Sequence, residues 1–183
     1  MTETLQTYML SNEKVPEHLQ PKSVAVMCVG NRLMLDDGVA PAVYDAILQQ
    51  YNIPEGVKLY DLGCLTLAMI DAVHTYDAII TVDAIEGTEN PPGTILRYAP
   101  ADMARKAGPT ASLHELALVD LFDRAALLGY EAAGLCLGMQ VENASPETIT
   151  EGLTKPVFDA VPMLVRVVAG ELERMGLPLE KKA

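Results

Sequence analysis

Basic residues are scarce in this sequence, which has 13 Lys and Arg against 25 Asp and Glu and a formal net charge of −12. Its pI is about 4.5, and the largest basic cluster is the pair Lys181–Lys182. Nucleic acids and anionic membranes are bound through clusters of Lys and Arg. We therefore expect neither as a partner of this chain.

Long apolar runs and cysteines are also rare. No run is long enough to span a bilayer, and the polar segment Met1–Pro21 lacks the apolar core of a signal peptide. The three cysteines, Cys28, Cys64 and Cys136, each lie in an apolar stretch and show no C-x-x-C spacing. This pattern is typical of reduced, buried thiols rather than disulfides or zinc ligands. We expect a soluble cytoplasmic protein.

Three common catalytic motifs are missing. There is no G-x-S-x-G nucleophile elbow, no Walker A loop, and no G-x-G-x-x-G pattern at Gly30. A nucleotide-binding protein with a phosphate near Gly30–Asn31 stays a possible interpretation, but the acidic residues nearby argue against it.

Half of the 183 residues are hydrophobic, enough for one domain with a sizeable core. Apolar β-like runs alternate with segments of helical spacing, which predicts a single-domain, three-layer α/β/α fold with a twisted, mostly parallel sheet of about five strands. Strands are predicted over Val24–Val29, Val57–Leu62, Ala78–Val82, Thr94–Tyr98 and Leu135–Val141. Helices are predicted over Val39–Tyr51, Thr66–His74, Leu113–Leu128 and Leu153–Met175. Residues 1–22 are predicted to be an N-terminal extension with a short helix around Glu3–Leu10, and residues 23–183 the α/β domain.

Three residues occupy positions where α/β sheets bind ligands. Asp37 follows the first strand, Asp83 ends the third, and His114 begins a helix after a loop. Ligands bind at the carboxyl ends of parallel strands, and two carboxylates with an imidazole suit one divalent ion such as nickel, zinc or iron. The alternatives are structural: Asp36 or Asp37 caps the next helix, Asp83 caps its loop, and His114 is a partly exposed helix-start residue. Taken alone, capping is the commoner role.

A fourth acid, Asp61, lies at the end of the second predicted strand, beside Gly63. Asp61 either contacts a substrate, supports the site, or is a turn residue that hydrogen-bonds to its own backbone.

These residues together resemble the [NiFe]-hydrogenase maturation endopeptidases. The resemblance extends over residues 24–175 and rests on several motifs in order: Gly30-Asn31, Asp36-Asp37-Gly38, Asp61-x-Gly63, Asp83-Ala84, Pro92-Gly93-Thr94 and Ser112-x-His114. It implies a twisted sheet flanked by helices, and an enzyme that removes a C-terminal peptide from the precursor of a hydrogenase large subunit after nickel insertion. Asp37, Asp83 and His114 are then the catalytic, metal-contacting residues, with Asp61 and Gly63 binding substrate. The nickel is carried by the substrate, and no organic cofactor is implied.

The chain departs from the family pattern at three positions: Ala40 replaces a frequent Gly, Cys64 replaces Thr, and Asp37 stands where some members have Glu. The resemblance implies that cleavage depends on nickel in the precursor. Since His114 ligates only when neutral, activity is expected to fall as the pH drops below its pKa. The competing interpretation is a non-hydrolytic metal-binding chaperone or scaffold of the same fold.

Overall fold

The computed structural model describes residues 3–63, 74–100, 102, 127 and 132–183. Within these ranges the chain forms a five-stranded sheet, three α-helices and a separate two-stranded ribbon. The strands of the sheet are β1 Val24–Val29, β3 Val57–Gly63, β4 Ala78–Ile85, β5 Ile95–Tyr98 and β6 Ala133–Gln140. The helices are α1 Leu5–Leu10, α2 Val39–Gln50 and α3 Lys155–Arg174, and the ribbon pairs β2 Tyr51–Asn52 with β7 Glu180–Lys181.

The sheet has the order β3-β1-β4-β6-β5. Strands β3, β1, β4 and β6 are parallel, whereas β5 runs antiparallel to β6 at one edge. Every residue of β1 and β4 is buried, because central strands of a parallel sheet are covered on both faces. This burial explains the continuous apolar runs, and the predicted α/β fold with a mostly parallel sheet of about five strands is confirmed.

The two faces of the sheet contribute to separate cores. Helices α2 and α3 pack on the face that carries Val26, Ile80 and Leu137. The opposite face carries Met27, Ile79 and other members of a smaller cluster. The predicted helices over Thr66–His74 and Leu113–Leu128 lie almost entirely outside the described residues, so the second helical layer stays a prediction.

Some predicted boundaries were wrong in ways that bear on the site. Strand β4 continues through Asp83 to Ile85, so Asp83 lies inside its strand and does not end it. Strand β3 ends at Gly63, one residue beyond the predicted end. Helix α3 is continuous through Pro162. Pro162 lies on the exposed side of α3, where water can hydrogen-bond to the carbonyl that loses its donor.

The N-terminal segment is docked against the sheet and α3. The side-chain amide of Gln6 pairs with both backbone groups of Gly134, at 2.9 and 2.7 Å. Strand β5 pairs with β6 only between Cys136 and Met139, so Gln6 satisfies backbone groups that β5 does not reach. Met9 is fully buried. The division of the chain at residue 22 stays a prediction.

None of the helices in the described part of the chain has the length and apolarity needed to span a bilayer.

Candidate active site

Asp37 lies in a 3-10 turn, Leu35–Gly38, between β1 and α2. Its side chain turns back toward β1, and Oδ2 accepts a hydrogen bond of 2.8 Å from the backbone N–H of Asn31. Only 6% of Asp37 is exposed. The N-cap of α2 is Gly38, and no side chain caps this helix. The interpretation that Asp37 or its neighbour caps α2 is therefore wrong.

The adjacent carboxylate, Asp36, points elsewhere. It is fully buried and accepts hydrogen bonds from the backbone of Glu142 and Asn143 and from both donors of Thr154. Two neighbouring aspartates thus have different surroundings. The sequence predicted for Asp36 only a capping role shared with Asp37, and could not indicate its actual partners because they are more than one hundred positions away.

Asp83 lies inside β4, with 3% of its surface exposed. Since Cys28 pairs with Val82 in the parallel register, Asp83 is level with the last residue of β1. Its Oδ1 accepts a hydrogen bond of 2.8 Å from the N–H of Ala84, the next residue of the strand. The bonded N–H belongs to the strand itself, so this hydrogen bond does not cap the following loop.

Asp83 shares a face of the sheet with Cys136. Burial raises the pKa of the Cys136 thiol, and the negative charge of Asp83 raises it further. Gly138 stands opposite Asp83 on β6. A Cβ at Gly138 would lie 2.4 Å from Cδ1 of Ile85 and 3.0 Å from the hydroxyl of Tyr98, so a larger residue beside this carboxylate would require the Ile85 side chain to move.

The structure thus brings Asp37 and Asp83 to the same end of two neighbouring strands. Parallel strands lie about 4.8 Å apart, and the 3-10 turn that holds Asp37 packs against β4. His114 lies outside the described residues. Within the described ranges, no three His, Cys, Asp or Glu side chains form a group that could hold a metal ion. The assignment of Asp37, Asp83 and His114 as a metal-contacting set stays a prediction.

Asp61 is oriented differently from Asp83. In the register of β1 and β3 it pairs with Cys28, a residue of the core beneath α2, whereas Asp83 belongs to the other face. Its Oδ2 accepts a hydrogen bond of 2.8 Å from Arg32, and its Oδ1 accepts one of 3.4 Å from the N–H of Gly63. The second contact fits the interpretation of Asp61 as a turn residue bonded to its own backbone.

Arg32 links Asp61 to Asp45 of α2. Its Nη2 lies 3.1 Å from Oδ1 of Asp45, and its Nη1 bonds to Oδ2 of the same carboxylate. Hydrogen bonds to Asp45 and Asp61 raise the pKa of Arg32. The guanidinium is thereby held in one orientation although its side chain is about half exposed.

A groove lies beside the Asp37 turn, with a volume of about 400 Å³. Its lining combines the oriented Arg32 with apolar and small residues. The apolar and small residues are Leu33, Gly38, Ala42, Gly152 and Leu153, and two acidic residues, Asp45 and Glu151, complete the lining. Leu33 is 43% exposed and offers apolar surface to the groove.

Gly63, the last residue of β3, is hydrogen-bonded to the residue that follows β1. Its carbonyl accepts a hydrogen bond of 3.0 Å from the N–H of Gly30, and its φ is +54°. Among the described residues, no atom lies within 4 Å of the position a Cβ would take. The glycine is therefore favoured by its backbone conformation and not by crowding.

Comparison with known proteins gives a consistent result. The family model of hydrogenase maturation proteases matches residues 41–171. The hydrogenase 2 maturation protease of Escherichia coli K12 is 29% identical over 159 residues, which is 84% of this chain and 93% of that protein.

Solved structures agree with the family match. The hydrogenase 2 maturation peptidase of Thaumarchaeota archaeon SCGC_AB-539-E09 is 30% identical, with a TM-score of 0.59 over 85% of this chain and 99% of that one. The hydrogenase maturating endopeptidase HybD of E. coli shares the fold, with a TM-score of 0.76 at 23% identity over 87% of this chain and 98% of HybD.

Proposed function

The chain belongs to the hydrogenase maturation protease family, and from this premise we propose that it removes a C-terminal peptide from the nickel-loaded precursor of a [NiFe]-hydrogenase large subunit. The observation that carries the proposal is the placement of two buried carboxylates, Asp37 and Asp83, at one end of neighbouring strands. The relatives are proteases and endopeptidases, which favours hydrolysis over a non-hydrolytic chaperone or scaffold.

In this proposal the nickel is part of the substrate. Asp37, Asp83 and His114 bind the nickel that the precursor already contains, and this N/O ligand set suits nickel. Ligation anchors the precursor tail, and the bound ion polarises the scissile carbonyl or lowers the pKa of a bound water. A precursor without nickel lacks that binding energy and is left uncut.

Asp61 and Gly63 are proposed to contribute to substrate binding. Asp61 holds Arg32 at 2.8 Å, and Arg32 lines the groove beside Asp37. An extended segment of the precursor in this groove would meet a charged group at one end and Leu33 and Leu153 along it. Asp61 then acts largely by orienting Arg32.

The remaining partner assignments follow from composition. A net charge of −12 disfavours nucleic acid and anionic membrane surfaces. We place the enzyme in the cytoplasm with its hydrogenase precursor.

The proposal is tested by incubating the purified protein separately with nickel-loaded and with nickel-free precursor and measuring the mass of the large subunit by mass spectrometry. Cleavage of the loaded form alone is expected, and equal cleavage of both forms would contradict recognition of nickel. Asp37→Ala is expected to lose cleavage and to bind the nickel-loaded precursor more weakly but still measurably, because Asp83 and His114 stay in place.

Asp159→Asn is the matched control. Asp159 is an exposed aspartate of α3 paired with Lys155, so its substitution is expected to leave cleavage at the wild-type level. Wild-type protein that binds nickel-loaded precursor and never cuts it would instead indicate the scaffold.

A further inference from the structure

Asp36 is a fully buried carboxylate that accepts four hydrogen bonds. Its Oδ1 lies 2.7 Å from the backbone nitrogen of Thr154, and its Oδ2 lies 2.9 Å from the Thr154 hydroxyl. The N–H groups of Glu142 and Asn143 donate to the same Oδ2, at 3.2 and 3.1 Å. Since hydrogen bonds to a charged acceptor are among the stronger ones in proteins, Asp36 joins three separated parts of the chain.

Thr154 illustrates how this arrangement differs from ordinary capping. Thr154 occupies the N-cap position of α3, but its hydroxyl makes no cap hydrogen bond within that helix. The hydroxyl donates instead to Asp36. The start of α3 is therefore tied to the turn that carries Asp37.

Backbone hydrogen bonds hold the same turn from the other side. The N–H of Leu35 donates to the carbonyl of Thr150 at 2.7 Å, and the N–H of Thr150 donates to Leu33 at 2.9 Å. Leu35 itself has a φ of +50°, a conformation that costs a non-glycine residue on the order of 1–2 kcal/mol. Such a conformation persists only where its surroundings enforce it.

The segment that Asp36 binds also contacts the loop that follows β4. The N–H of Ala144 donates to Oε1 of Glu86 at 2.9 Å, and Glu86 directly follows the strand that contains Asp83. Three consecutive N–H groups, those of residues 142–144, thus bind carboxylates from the loops after β1 and β4. This segment connects the two loops that flank the candidate site.

We propose that Asp36 is a positioning residue, which sets the place of the Asp37 carboxylate relative to Asp83 by anchoring the 3-10 turn to residues 142–143 and Thr154. The catalytic consequence rests on the proposed function. The effect on the position of the Asp37 carboxylate does not rest on it, because the hydrogen bond from the N–H of Asn31 to Asp37 reports that position directly.

The test combines that geometric signal with turnover. Asp36→Asn keeps the shape of the side chain but replaces one acceptor oxygen with an NH₂ group that faces N–H donors. We expect the chemical shift of the Asn31 amide to change in the direction of its value in a second variant, Asp37→Asn. We expect kcat on nickel-loaded precursor to fall about 10- to 100-fold, the range seen when residues that orient metal-contacting side chains are changed. KM is expected to change less than kcat.

A matched control separates positioning from general loss of stability. Glu171 is also a buried carboxylate, and it is paired with Arg97 and Arg174 between α3 and the N-terminal segment. Glu171→Gln is expected to lower the melting temperature while leaving the Asn31 resonance and kcat unchanged. Equal losses of kcat in Asp36→Asn and Glu171→Gln, measured well below both melting temperatures, would overturn the proposal.

A milder pair of variants keeps the proposal testable if Asp36→Asn fails to fold. Thr154→Val removes only the hydroxyl that donates to Asp36, whereas Thr154→Ser retains it. The valine variant is expected to shift the Asn31 resonance and lower kcat, and the serine variant to restore both. An Asn31 resonance that stays at its wild-type position in the valine variant would refute the positioning role, whether or not the wild-type protein cleaves the precursor.

Discussion

Gly30→Ala is the substitution whose effect on the site is most directly calculable from the structure. Gly30 follows β1 with a φ of +147°. A Cβ there would lie 2.0 Å from the carbonyl oxygen of Asp37, whereas ordinary contact begins at 3.4 Å. Because the clash is with backbone, no side-chain rotation relieves it, and the Asp37 turn must move by more than an ångström.

Two contributions set the magnitude. A non-glycine residue in this backbone region costs on the order of 1–3 kcal/mol, and forcing an extra carbon into a packed site costs about 1–3 kcal/mol more. We expect Gly30→Ala to lower the free energy of unfolding by about 2–6 kcal/mol, the sum of these two contributions, measured by urea denaturation. A displacement of about 1 Å at a catalytic group typically lowers the rate about 100-fold, so a comparable loss of precursor cleavage is expected from the folded fraction.

Gly87→Ala is the control for the energetic cost of a positive φ alone, without a steric clash. Gly87 has a φ of +74°, and nothing lies within 4 Å of its would-be Cβ. It is expected to cost only about 1–2 kcal/mol, with cleavage retained. Equal destabilisation by the two substitutions would refute the argument that Gly30 is required by its close approach to Asp37.

Three further predictions concern stability and titration. Met9→Ala is expected to destabilise the protein by about 2–5 kcal/mol, because Met9 is fully buried. The control, Leu10→Ala, is expected to change stability by about 0.5 kcal/mol or less, because the Leu10 side chain is 42% exposed. Equal effects of the two substitutions in thermal unfolding would show that the N-terminal segment is not docked. Burial raises the pKa of the Cys28 and Cys136 thiols, so peptide mapping should find both unalkylated by iodoacetamide at neutral pH until the chain is unfolded. Burial, and in second place a hydrogen bond with a neighbouring tyrosine, raises the pKa of Tyr76 from 10.0 to about 12. The stability linked to this group is therefore fully present below pH 10 and is lost as the pH rises to about 12. Unfolding measured as a function of pH, together with tyrosinate absorbance, checks this prediction.

The outcome for the paired aspartates illustrates the limit of reasoning from local pattern. Capping of α2 was the commoner expectation for Asp36 or Asp37, yet α2 has no side-chain cap. The two residues are chemically identical neighbours, and only their distant partners distinguish them. Asp36 binds Thr154, 118 positions away, whereas Asp37 binds Asn31, 6 positions away.

The position of Asp83 shows a related limit. Asp83 was expected to end its strand but lies inside it, whereas Asp61 lies near the end of β3 as expected. A strand ends where its neighbours stop pairing with it, and β4 continues because β6 pairs with it through Ile85. Apolar runs show where a strand is buried but do not show how far its partners extend.

The amino-acid sequence alone determined the class of fold and the order of its central strands along the chain, because strands buried on both faces require continuous apolar runs and amphipathic helices require their own spacing. It also contained the ordered motifs that indicate a hydrogenase maturation protease. Tertiary structure decided the antiparallel direction of β5, the separate roles of Asp36 and Asp37, and the pairing of Asp61 with Arg32. Each of these depends on hydrogen bonds between residues far apart in the chain, whose partners are settled only when the sheet and α3 assemble around the turn.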